Sequence, residues 1–177
     1  MTVVRTNSTR TRIALGVGVG AVGLGYALLA PASANAADLT CVAAPGVEAV
    51  QVDGATACGA RIDATSRAVA RALDGVAFAR GEVGGDAFGF AHSGGVAAAE
   101  TVSGRVGALS LGPESVSIVS PDPGNYALAL SLVRGQTFVG TAEEGVRCDA
   151  GAGIAVNLTT GQICVSDGVT TWRTPLA

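Results

Sequence analysis

Residues 66–145 decide the fold: they divide into SRAVARALDG, VAFARGEVGG, DAFGFAHSGG, VAAAETVSGR, VGALSLGPE, SVSIVSPDPGN, YALALSLVRG and QTFVGTAEEG. The blocks begin at Ser66, Val76, Asp86, Val96, Val106, Ser115, Tyr126 and Gln136, a period of ten broken once by a nine and once by an eleven. Each opens with alternating residues and closes on turn formers such as Gly84-Gly85, Gly94-Gly95, Gly112-Pro113, Pro121-Asp122-Pro123-Gly124 and Gly135. The second and fourth places are small or aliphatic: Ala77 and Ala79, Ala87 and Gly89, Ala97 and Ala99, Gly107 and Leu109, Val116 and Ile118, Ala127 and Ala129, Thr137 and Val139. Alternation at period two predicts that these places share one strand face. The intervening places hold Phe78, Phe88, Phe90, Leu128, Leu130 and Phe138, so the opposite face is also partly apolar.

Repetition at a fixed period marks an architecture in which each unit buries its face against its neighbours. The pattern predicts an all-β protein: a short-repeat β-solenoid-like array, two blocks per coil of about 20 residues, with disulfide-bearing caps. An antiparallel β-meander or sandwich is the alternative, since turns at this spacing also signal that class. The solenoid is preferred because the small residues, not the bulky ones, hold the regular register, whereas a sandwich alternates bulky core residues with polar ones. In the first block, residues 62–73 also read as an Ala-rich helix capped by Asp63.

The flanks complete four segments: 1–36 a signal peptide, 37–65 an N-terminal disulfide cap, 66–145 the repeats and 146–177 a C-terminal β-hairpin disulfide cap. In the first, Arg5, Arg10 and Arg12 precede the uncharged stretch Ile13 to Ala30, Pro31 breaks it, and Ala34-Asn35-Ala36 supplies a cleavage site. Cleavage is expected after Ala36, with Ala34 as the alternative. A retained membrane anchor competes with this reading, but five glycines in the stretch weaken its hydrophobicity and helix propensity. Lipidation at Cys41 is disfavoured by the acid and threonine of Asp38-Leu39-Thr40.

Open ends of a solenoid invite aggregation and need cover. Upstream, Val47 to Val52 is a strand candidate followed by the turn Asp53-Gly54. Downstream, Ile154 to Leu158, Ile163 to Ser166 and Val169 to Thr174 are three short strands, with Asp167-Gly168 predicted to form a type I′ hairpin turn. All four cysteines lie in these caps, and an even count in an exported chain reads as disulfides. Spacing favours Cys41 with Cys58 and Cys148 with Cys164 among the three possible connectivities. Zinc is disfavoured, because no CxxC exists and the single histidine, His92, is remote.

Composition removes several function classes. All 11 basic residues are arginine, so lysine Schiff bases and P-loop nucleotide binding are excluded. Aromatic residues make up 4% of the chain, which leaves Ala, Val, Leu and Gly to build the core. Loss of the three leader arginines leaves eight against 14 acids, a net charge of −6 that disfavours nucleic acid, and no membrane association is expected after cleavage.

No catalytic constellation stands out, and neither a cofactor nor a metal is expected. His92 beside Ser93 sits in a predicted turn and has no GxSxG elbow to serve. Asp74, Glu82, Asp86, Glu100, Glu114, Asp122, Glu143 and Glu144 recur near turns, but only Gly84-Gly85-Asp86 approaches a calcium-roll sequence. No two of them can be placed across a glycosidase cleft from sequence. Asn157-Leu158-Thr159 matches a glycosylation sequon, and Trp172 is expected to cover the terminal hairpin, with an exposed ligand platform as the sharper role.

From Cys41 through GVAFA, GGVAAAE and GVRC to TTGQICVSDGVTTW, the chain resembles a family of small secreted actinobacterial proteins of unknown function. Arginine without lysine and abundant Ala, Gly and Val suit a high-GC genome. The resemblance implies secretion or a cell-envelope location and assigns no catalytic residue. The repeats also look loosely like the Ala and Gly rows of bacterial adhesin heads, without their stalk and anchor. The expected function is a non-enzymatic structural or interaction protein whose partner is a cell-wall polymer or a protein. A secreted hydrolase or small-ligand-binding protein is the alternative.

Overall fold

The computed structural model describes residues 37–175, so the expected export signal lies outside the described residues. Fifteen strands and no helix make up the described chain. The first three are β1 (Asp38–Val42), β2 (Ala49–Asp53) and β3 (Thr56–Ile62). The central ones are β4 (Arg67–Leu73), β5 (Val76–Glu82), β6 (Asp86–His92), β7 (Val96–Val102), β8 (Arg105–Leu111), β9 (Val116–Val119), β10 (Tyr126–Ser131) and β11 (Gln136–Val139). The last four are β12 (Val146–Ala150), β13 (Ala152–Asn157), β14 (Gln162–Asp167) and β15 (Thr171–Arg173).

Consecutive strands alternate between two facing sheets, ordered β1-β4-β6-β8-β10-β13-β14-β15 and β12-β11-β9-β7-β5-β3-β2. From β3 to β11 every neighbour within a sheet is parallel, and equivalent positions in successive coils lie 19 to 21 residues apart. The protein is therefore a β-solenoid of about four coils, and the meander is overturned. Its parallel ladder starts at β3, one strand upstream of Ser66. At both ends the strand direction reverses: β1, β2, β12 and β13 pair antiparallel with the array.

The register aligns the interior into rows. In the first sheet one row runs Cys41, Ala70, Gly89, Ala108, Ala129, Ala155, Cys164. In the second sheet a row runs Cys58, Ala77, Ala97, Ser117, Thr137, Cys148. Each row begins and ends in a half-cystine, and the disulfides Cys41–Cys58 and Cys148–Cys164 join sheet to sheet at opposite ends of the array. Between them the interior holds buried alanine at nearly every place in the early coils, widening to Val106, Val119 and Val139 later. A Cβ at Gly89 would lie 2.5 Å from the Phe78 carbonyl oxygen on the facing sheet, so the sheets approach too closely there for any side chain.

Three expectations are corrected. Residues 67–73 form strand β4, not a helix: Ala68, Ala70 and Ala72 are buried while Arg67, Val69, Arg71 and Leu73 point outward, and packing against β6 overrides alanine's helix propensity. The inward register slips in two blocks. Val106, Ala108 and Ser110 face in on β8, and Ser117 and Val119 on β9 with Ser115 just before it, instead of Leu109, Val116 and Ile118, because the shortened and lengthened turns fall one residue away from the expected boundaries. The Asp167-Gly168 turn is not type I′. Asp167 N–H donates to the Thr170 carbonyl, Gly168 with φ 94° takes the first central place as in type II′, and the Asp167 carboxylate accepts the Val169 and Thr170 amides. Asp53-Gly54-Ala55-Thr56 closes the other end with the same residue pattern, Gly54 having φ 58°.

Two predictions follow from the narrow, stapled interior. Ala97→Leu or Ala99→Leu should destabilise by about 1–3 kcal/mol, whereas outward Glu100→Gln should change stability by less than about 0.5 kcal/mol. Denaturant melts check this, and equal tolerance at all three sites would contradict the register. Each disulfide closes a segment of 17 or 16 residues, and a loop of that length contributes about 3 kcal/mol. On reduction, hydrogen exchange should rise in β1–β3 and β12–β15 before β5–β8. Uniform acceleration along the chain would count against end-first loosening.

Candidate functional site

Outward places on the first sheet also fall into rows. One runs Val69, Phe88, Gly107, Leu128, Val156, Ile163. Beside it runs Arg71, Phe90, Leu109, Leu130, Ile154, Val165, Trp172. Together they cover the sheet with mainly aliphatic and aromatic side chains, of which Phe88, Leu128, Ile154, Val165 and Trp172 are exposed and Val69, Phe90, Leu109, Leu130, Val156 and Ile163 half-buried. Phe88 is 42% exposed, Leu128 46% and Trp172 61%. Contiguous exposed apolar surface of this kind marks interaction sites, because leaving it in water has a free-energy cost that a partner removes. On the second sheet the corresponding row Phe78, Ala98, Ile118, Phe138 ends at Arg147 and runs beside Arg80 and Glu100. Charge interrupts that face beside its apolar row; on the first sheet Arg71 heads one row and Arg67, Asp86 and Arg105 flank the other, and the charge stays at these margins of the apolar stretch that runs to Trp172.

The apolar rows contain one gap, at Gly107. A groove of about 450 Å³ opens over it, walled by Phe88, Leu128, Tyr126 and Leu158. Along one rim the register sets Arg67, Asp86 and Arg105 side by side on β4, β6 and β8. Arg105 Nε lies 3.2 Å from Asp86 Oδ2.

The expected site residues are scattered. His92 is the exposed last residue of β6 and opens the expected turn, its carbonyl accepting the Gly95 amide, and no nucleophile or carboxylate is brought to it by the register: its strand neighbours are Leu73 and Leu111. Asp86 stands in a strand and is ion-paired with Arg105, Glu82 with Arg80, and Glu114 with Arg134. Asp122 accepts the Ala142 amide, and Glu144 accepts the Thr141 amide. Among the described residues no three His, Cys, Asp or Glu side chains converge. Asn157 is fully buried, and its Oδ1 accepts the Thr159 and Thr160 amides, so it caps a turn and is inaccessible to a glycosyl transfer. Trp172 does not cover the hairpin: it is exposed on β15 beside Val165.

Sequence reasoning set Thr137 on the inward face but missed its partners Ser117 and Ser131. Ser117, Ser131 and Thr137 lie within 3.2 Å of one another between the sheets, and Ser117 and Ser131 also donate to the Leu109 and Val116 carbonyls. No base touches them, and the network is closed on itself, so it fills the wider end of the core rather than offering a nucleophile. The signal was the recurrence of Ser and Thr at alternate places once the slipped register is corrected.

Asp63 carries the strongest electrostatic feature. Its carboxylate accepts the Ser66 hydroxyl at 2.7 Å and the Thr65 amide at 2.9 Å, and reaches the next coil through the Val83 amide at 2.6 Å. These bonds, the Ser66 hydroxyl foremost, hold its pKa well below the usual carboxylate range. Asp167 is lowered by the Thr170 amide first, and Asp38 by its hydrogen bond to Arg71. The polar anchors thus bind turn to turn and strand to strand, outside any cleft.

A model of the family of unknown function DUF6764 matches residues 5–167, and the chain belongs to that family. No curated protein and no solved structure matches it.

The Asp63 geometry makes a pH prediction. A depressed folded pKa means that the carboxylate stabilises the fold above the unfolded value of about 3.9 and that this contribution is lost as pH falls toward the folded value. Wild-type stability should fall below about pH 4, and Asp63→Asn should be less stable at pH 7 with a shallower acid limb. Thermal melts across pH 2–7 check it, and identical limbs would remove Asp63 from the account.

Proposed function

We propose that the chain is a secreted or cell-envelope protein of an actinobacterium that acts without catalysis, by contact through the outer face of its first sheet. The observation that carries this reading is the run of exposed apolar side chains from Phe88 to Trp172 on a scaffold closed by disulfides at both ends. Disulfides persist in oxidising compartments, and the leader-like residues 1–36 agree with that location. The partner is a cell-wall polymer or an envelope protein, either of which buries exposed aromatic and aliphatic groups. The small-ligand alternative draws support from one feature, the groove over Gly107. Hydrolysis draws none from the placement of His92 or the carboxylates.

Cosedimentation tests the reading with two preparations, native envelopes and detergent-boiled walls stripped of protein. Ile154→Ser with Trp172→Ala should weaken capture by about tenfold or more, the weight of an exposed anchor pair, while Ile118→Ser on the other sheet should not. Binding to both preparations indicates the polymer; binding to native envelopes alone indicates a protein. Equal capture of all variants, or release of soluble wall fragments, would overturn the proposal.

A further inference from the structure

We propose that the groove over Gly107 binds a small organic anion, one carrying a ring-sized apolar group next to a carboxylate or sulfonate. The inference rests on the outer face being a contact surface and assigns chemistry to one place on it. The argument begins with what the fold does not require. Gly107 has no positive φ, and an outward Cβ there would meet only the tip of Leu128 at 2.9 Å, a side chain free to move. Neither backbone conformation nor sheet packing calls for glycine, in contrast to Gly89. The strands that carry Phe88 and Leu128 stand two spacings apart, about 9–10 Å at the backbone, and the Leu128 tip leans over buried Gly107 as the movable part of the wall. With Leu128 turned aside that spacing admits one ring or branched aliphatic group, and the groove's volume of about 450 Å³ falls within the range of small-molecule sites.

The rim supplies the charge preference. Arg67 and Arg105 flank a single Asp86, and only Arg105 is paired with it among the described residues. One positive charge is left over at the mouth, on a chain whose net charge is −3. A guanidinium beside an apolar slot favours an anion whose hydrocarbon part enters the slot while its oxygens accept arginine N–H groups. A neutral ligand would gain only the slot, and a cation would meet repulsion.

Two naphthalene probes separate these contributions in the disulfide-intact protein: 8-anilinonaphthalene-1-sulfonate, which is anionic, and N-phenyl-1-naphthylamine, its uncharged counterpart. The anion should bind at one site, about tenfold or more tighter than the neutral probe, as one charge-assisted contact predicts. Gly107→Leu should abolish binding of both, and Arg67→Gln with Arg105→Gln should remove the preference for the anion while leaving the neutral probe unchanged. The arginine pair is exposed, so its variant keeps the test valid even if Gly107→Leu unfolds. Ile154→Ser should leave probe binding intact while weakening envelope capture, which separates failure of the groove from failure of the wider face. Undiminished binding to Gly107→Leu in a folded protein, or an anion preference that survives loss of both arginines, would overturn the assignment.

Discussion

Everything in this molecule follows from how closely two β-sheets stand. Where the Phe78 carbonyl faces Gly89, no side chain fits, and the inward places around it are mostly alanine. A thin interior buries little apolar area per residue, so stability is spread over backbone ladders and over many small contacts instead of a few large side chains. That explains a chain with 4% aromatic residues that still folds. It also explains where the aromatics went: excluded from the inside, Phe88, Phe90 and Trp172 stand on the outside, and the same constraint that shapes the core leaves apolar groups on the surface.

The thin core is weakest at its ends, where a coil has one neighbour instead of two. The disulfides sit there, each replacing an alanine-sized contact with a bond between sheets, in line with the rows they terminate. Toward the C-terminal end the spacing relaxes enough for Val119 and Val139, and for three mutually bonded hydroxyls. A polar cluster is tolerated there because every hydroxyl finds a partner.

Much of the fold was legible in the sequence because a period of ten with punctuating glycines has few structural solutions. The register of β8 and β9 was not legible: a turn shortened by one residue and the next lengthened by one leave both alternating series plausible, and only pairing with β6 and β7 selects between them. The outer face was hidden for a topological reason. Successive blocks go to opposite sheets, so Phe78 and Phe138 belong to one face and Phe88, Phe90, Leu128 and Leu130 to the other, though all occupy the third or fifth place of a block. The groove was invisible because Gly107 looks inward-facing until the register is known.

The reversal of strand direction at both ends bears on length. A parallel coil can in principle be extended by stacking another copy of itself, which is how open solenoids grow into fibres. Here a second molecule arriving end-on meets β1 and β2, or β12 and β15, each running against the array it closes. Continuing the coil pattern across that junction would require undoing a covalently braced cap. The gene therefore sets the reach of the rod: the number of rungs on the outer face is fixed at translation, and any ligand that spans them meets a ruler of constant length.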